Sequence, residues 1–167
     1  LLGLGILAWA AGDIYYSVAF HSTPEADIPF PSPVDIGFLA FYPPVFVALG
    51  LLVASKVVRF SGASWLDGVI AGLTVGAVAA ALVFHPVLES TGGDTAAVAT
   101  NLAYPLGDVI LLAIIVGALG LSGWRVSSTW LVLFAGLGCF AVADSVYLVQ
   151  VAEGTYQTGG FLDIGWL

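Results

Sequence analysis

The sequence predicts an all-α membrane protein: a polytopic helical bundle of five full transmembrane helices plus the start of a sixth, built from repeated two-helix hairpins. Three observations predict it. The 167 residues are 60% hydrophobic and only 8% charged, with a mean hydropathy of +1.06, whereas about a quarter of residues are charged in soluble domains. Apolar stretches of roughly 20 residues, the length that crosses a bilayer, recur along the chain. All three cations, Lys56, Arg59 and Arg125, sit in two short polar breaks, while most acids lie elsewhere.

The spans run at about 1–20, 36–55, 64–85, 100–121, 129–151 and from 161 onward. The first is no signal peptide, because it lacks a basic leader and Asp13 interrupts its apolar run. A proline-rich segment from Pro24 to Pro33 reads as a stiff extended cover before the second span. Pro43 and Pro44, near the start of that span, and Pro105, near the start of the fourth, each remove a backbone donor, so each is expected to kink its helix. On the third span Gly68, Gly72, Gly76 and Ala80 form a ridge of small residues suited to close helix packing. Trp9, Trp65, Trp124, Trp130 and Trp166 mostly lie near span ends, where an aromatic belt belongs.

Short cytoplasmic loops carry the excess of Lys and Arg. The loops at 56–63 and 122–128 hold every Lys and Arg and are assigned to the cytoplasm; those at 21–35, 86–99 and 152–160, with Glu25, Asp27, Asp35, Glu89, Asp94 and Glu153, are assigned outside. Strict alternation satisfies all five. The net charge of −8 then reflects topology and offers nothing to nucleic acid. One cysteine, Cys139, excludes an intrachain disulfide. The chain reads as one transmembrane domain, 1–167, cut from a longer protein, since it opens at Leu1 without Met and stops in a fresh apolar segment.

Internal matches support the hairpin unit. Asp13-Ile14-Tyr15-Tyr16 matches Asp144-Ser145-Val146-Tyr147, and each is followed by an outer loop ending in Asp-Ile-Gly-aromatic-Leu, at residues 35–39 and 163–167. Leu39-Ala40-Phe41-Tyr42-Pro43 matches Asn101-Leu102-Ala103-Tyr104-Pro105 at about half that separation. The third span lacks the Asp-x-x-Tyr.

The candidate chemistry lies in the acids within the spans. Asp13, Asp108 and Asp144 each fall seven or eight residues from the outer end of their span, which is roughly 10–12 Å of helix. They are expected to share one layer. An ionised Asp at a helix centre costs about 2.5–3.5 kcal/mol on insertion scales, so each is expected to face the bundle interior or a wet cavity. Tyr16 and Tyr147 follow their Asp by three residues, and Tyr104 precedes Asp108 by four, spacings that set side chains on one helix face. A phenol donates to a carboxylate without neutralising it, so the layer calls for shared protons, bound water or an external cation. His21 and His85 sit at its rim, and Tyr42 occupies the matching Tyr-Pro position on the second span. Two readings fit: a proton- or ligand-responsive site opening outward, or hydrogen-bonded glue between helices. Neither a nucleophile with a neighbouring base, nor a metal-ligand spacing, nor a nucleotide fingerprint occurs, so no enzyme site, metal or cofactor is expected within these residues.

The runs Ala103-Tyr104-Pro105-Leu106-Gly107-Asp108, Ala143-Asp144-Ser145-Val146-Tyr147-Leu148 and Leu162-Asp163-Ile164-Gly165-Trp166-Leu167 resemble the N-terminal multi-span region of bacterial membrane signalling proteins. In that family the region precedes cytoplasmic GGDEF and EAL domains, which make and degrade cyclic di-GMP, and in some members PAS or histidine-kinase modules. The resemblance implies a sensory input module in the bacterial cytoplasmic membrane. Its partners would be the lipid bilayer, a C-terminal signalling domain in the same polypeptide, and a second copy of the chain as a homodimer. No GGDEF, EAL or kinase motif occurs in the 167 residues. Two alternatives stand beside it: a small ion- or proton-coupled transporter, and a purely structural membrane anchor.

Overall fold

The computed structural model describes residues 1–24, 27–56, 62–90, 95–122, 124, 127–157 and 160–162. The sequence readings that involve Arg59, Arg125, Glu25, Asp94 and residues 163–167 lie outside the described residues. Lys56, His85 and Glu89 are placed on helices, without described side chains.

Among the described residues six helices follow one another: α1 (Leu2–Ala19), α2 (Pro33–Leu39), α3 (Tyr42–Lys56), α4 (Gly62–Ser90), α5 (Thr95–Leu121) and α6 (Ser128–Glu153). There is no strand among the described residues. Five stretches of the described residues are long and apolar enough to cross a membrane: α1, α2 with α3 (Pro33–Ser55), Leu66–Phe84 of α4, α5, and Ser128–Val151 of α6.

The break between α2 and α3 follows from local chemistry. Pro43 and Pro44 are the second and third residues of α3, so neither can donate to the carbonyls one turn earlier, and the first turn of a helix is where that loss costs nothing. α2 starts on a reciprocal cap. The Ser32 N–H donates to Asp35 Oδ2 at 2.7 Å, and the Val34 N–H donates to Ser32 Oγ at 3.3 Å. Pro105, by contrast, lies inside α5 and is wholly buried.

α5 is the central element, packed against α4, α6, α3 and α2, while α1 packs on α2 and α3. Small residues set the closest approaches. A Cβ added to Gly68 or Gly72 of α4 would stand 2.8 Å from the Gly117 or Ala113 carbonyl oxygen of α5. On α1, Gly12 lies against Gly37 of α2, where an added Cβ on Gly37 would meet the Gly12 Cα at 2.7 Å, and Gly5 lies against Phe41 and Val45. Dispersion and backbone proximity drive such contacts where lipid removes the hydrophobic incentive. The core between α3, α5 and α6 holds Tyr42, Val45, Leu49, Leu111, Ile115, Phe134 and Ala141. The outer surface is apolar: Leu7, Val18, Leu73, Leu82 and Val132 are all more than two-thirds exposed, as suits a surface solvated by acyl chains.

Candidate functional site

Asp108 anchors the site. It lies on α5 and is 0% exposed, which requires partners for its oxygens. Tyr42, the first residue of α3, donates its phenol O–H to Asp108 Oδ1 at 2.8 Å. Gly107 makes that contact possible: a Cβ there would fall 2.6–2.8 Å from three carbons of the Tyr42 ring. The ring is held on its other sides by Phe41, at 5.4 Å between centroids, and Phe46, at 5.8 Å.

Asp144 of α6 faces Asp108, and the two carboxyls interact with one another. Packing beside them agrees, because Phe140, one turn before Asp144, stacks on Phe41, the neighbour of Tyr42, at 4.7 Å. Asp108 Oδ2 and Asp144 Oδ2 are both buried and accept no hydrogen bond.

Tyr104 donates to Asp35 Oδ1 at 2.7 Å. It also lies close to Asp144, Tyr147 and Tyr42, and packs with Tyr147 around Val83 and Leu148. The Tyr147 ring meets Tyr156 edge-on at 4.8 Å. One connected group therefore joins Asp35, Tyr42, Tyr104, Asp108, Asp144 and Tyr147 from α2, α3, α5 and α6.

The arrangement differs from the one the sequence predicts in three respects. First, Tyr104 serves Asp35 and not Asp108, four residues later on its own helix. Helical side chains lean toward the N-terminus, so Tyr104 points away from Asp108, and the phenol that Asp108 accepts comes from α3. Second, Asp13 is exposed and stands apart from the other two acids, as is Tyr16, whose ring contact is with Phe20. Gly5 and Gly12, two turns apart, fix the buried face of α1, and Asp13 is turned about 100° from Gly12. Third, Asp35, assigned to an outer loop, belongs to the group. Its signal was the Ser32-x-x-Asp35 spacing of a capping box, which starts a helix at residue 33. His21 is exposed in the turn after α1, and His85 sits on α4 two residues beyond buried Val83. Pro43 and Pro44 open α3 beside Tyr42, and Pro105 separates Tyr104 from Leu106-Gly107-Asp108 on α5.

Among the described residues no group of three His, Cys, Asp or Glu could hold a metal ion. Fold and site together define an all-helical class of protein, with five helices long and apolar enough to cross a membrane and a buried acid and tyrosine group between them. No family model, no curated protein and no solved structure matches the chain.

Proposed function

We propose that this chain is the membrane-embedded input module of a bacterial signal-transduction protein, with the Asp35/Tyr42/Tyr104/Asp108/Asp144/Tyr147 group as its stimulus site. The observation that carries the reading is Asp108, with no exposed surface and one carboxyl oxygen without a donor, set against a second such oxygen on Asp144. A bundle needing only to anchor would replace these groups by packed apolar residues at little cost. Ionisable groups inside a membrane mark a functional path by default.

The finer topology belongs to the same proposal. Lys56, Arg59 and Arg125 lie on the cytoplasmic side by the excess of positive charge in those loops, and the loop before α2 then faces outward. The site would sit in the outer part of the membrane, one helix length from a cytoplasmic output domain. In the two-helix repeat the first and fifth spans carry Asp-x-x-Tyr and the second and fourth carry Tyr-Pro, the third departs from the pattern, and a sixth span begins at Phe161. An output that makes or degrades cyclic di-GMP, or a kinase, follows from the sequence resemblance alone.

The test uses the full-length protein in native membranes. Asp108→Asn and Asp144→Asn are expected to alter how its signalling output depends on external pH or ligand while membrane insertion is kept. A wild-type response in both variants contradicts the reading and leaves interhelical glue.

A further inference from the structure

Two buried carboxyl oxygens of the group, Asp108 Oδ2 and Asp144 Oδ2, lack a hydrogen-bond donor. A phenol has a single O–H. That of Tyr42 goes to Asp108 Oδ1 and that of Tyr104 to Asp35 Oδ1. Asp35 Oδ2 is taken by the Ser32 backbone N–H and hydroxyl, at 2.7 and 3.3 Å. Asp108 Oδ2 and Asp144 Oδ2 remain, both buried and both without a donor, on carboxyls that face one another. Two ionised carboxylates can only accept, so they leave both oxygens unsatisfied and repel across the gap.

We propose that Asp108 and Asp144 form a proton-binding site that takes one proton, shared between the two Oδ2 atoms. A single proton, carried by one oxygen and donated to the other, satisfies both orphans at once. It needs no cavity and no further ligand. A multivalent metal would need a larger donor set, and no third acid or His joins these two in a metal-binding arrangement among the described residues. No Lys or Arg of the spans can serve the pair, since all three, Lys56, Arg59 and Arg125, lie in the breaks between spans.

The titratable groups facing the pair are Tyr42 from α3, Tyr104 from α5, Tyr147 from α6 and, through Tyr104, Asp35 from α2. α4, packed on α5 and α6, brings His85 toward this end of the bundle. Asp13 of α1 lies on an exposed face, off the group. The inference names the ligand of the stimulus site and rests on that reading only for its signalling consequence.

Infrared spectroscopy of the protein in lipid vesicles, with ¹³C-labelled aspartate to assign the carboxylic C=O stretch, tests it. Wild type minus Asp108→Asn and wild type minus Asp144→Asn are expected to show the same band, equal to one proton per chain. The double variant is expected to remove no more than either single one, a ratio of one to one. Two independent protonated acids would give a ratio of two to one and overturn the shared site. In wild type alone, exchanging sodium for choline at constant pH is expected to leave the labelled band unchanged; a band that grows when sodium is withdrawn overturns the proton in favour of a cation. Variants that lose the band yet keep a wild-type signalling response would contradict the sensory role and leave the proton site standing.

Discussion

Gly107→Ala isolates the geometry on which the site depends. The added methyl would stand 2.6, 2.7 and 2.8 Å from Cε1, Cζ and Cδ1 of Tyr42, while carbon atoms pack best at about 3.5–4.0 Å. The ring must therefore move by about 1 Å. Tyr42 is 5% exposed and wedged between Phe41 and Phe46, so it has little room on the far side. The 2.8 Å bond from its hydroxyl to Asp108 then stretches past bonding distance. Overpacking costs about 1–3 kcal/mol, and a buried acceptor left unsatisfied about 1–3 kcal/mol more. The gain of alanine over glycine in a helix interior returns about 1 kcal/mol. A net loss of about 1–5 kcal/mol follows from these three terms. Unfolding of the purified protein in mixed micelles of rising denaturing detergent measures it. Tyr42→Phe keeps the ring and removes the hydroxyl, so adding Gly107→Ala to it is expected to cost less than in wild type by about the hydrogen-bond term. Gly138→Ala, where an added Cβ meets nothing within 4 Å, is the control and is expected to be neutral or stabilising. A Gly107→Ala protein as stable as wild type, or effects strictly additive with Tyr42→Phe, would refute the reasoning.

Three further outcomes are expected from the same unfolding measurement. Tyr104→Phe loses the 2.7 Å bond to Asp35 and is expected to cost about 1.5–3 kcal/mol, as for bonds to charged groups; no change would mean that α2 is not tied to α5 there. Gly37→Ala places a methyl 2.7 Å from the Gly12 Cα, a backbone atom that cannot rotate away, and is expected to part α1 from α2 at about 1–3 kcal/mol, whereas Gly50→Ala, with open space around it, is expected to be tolerated. Asp13→Leu removes a carboxyl from an exposed helix face and is expected to leave stability within about 0.5 kcal/mol or to raise it; a loss above about 1 kcal/mol would give Asp13 a partner.

Membrane class was legible from composition, because no arrangement of soluble helices hides so many apolar residues, and five long apolar helices carry it in the structure. Asp108 and Asp144 were legible as interior acids from the cost of ionised groups in lipid. Their partners were not. Spacing along one helix assigns Tyr104 to Asp108, but the lean of helical side chains and the start of α3 at Tyr42 give Asp108 a phenol from another helix. Asp13 looks equivalent to Asp144 in sequence, and only the packing of Gly5 and Gly12 on α2 and α3 turns it outward. Gly107 was invisible to periodicity, since its role is the absence of a side chain at the one place where a ring from α3 must pass.

The central claim is that Asp108 and Asp144 meet across α5 and α6, and disulfide trapping in intact membranes tests it most directly. With the native thiol removed by Cys139→Ser, the pair Asp108→Cys and Asp144→Cys is expected to cross-link rapidly under mild oxidation, while Asp13→Cys with Asp144→Cys is expected not to cross-link. Failure of the first pair in a protein that still inserts, or efficient trapping of the second, would contradict the account.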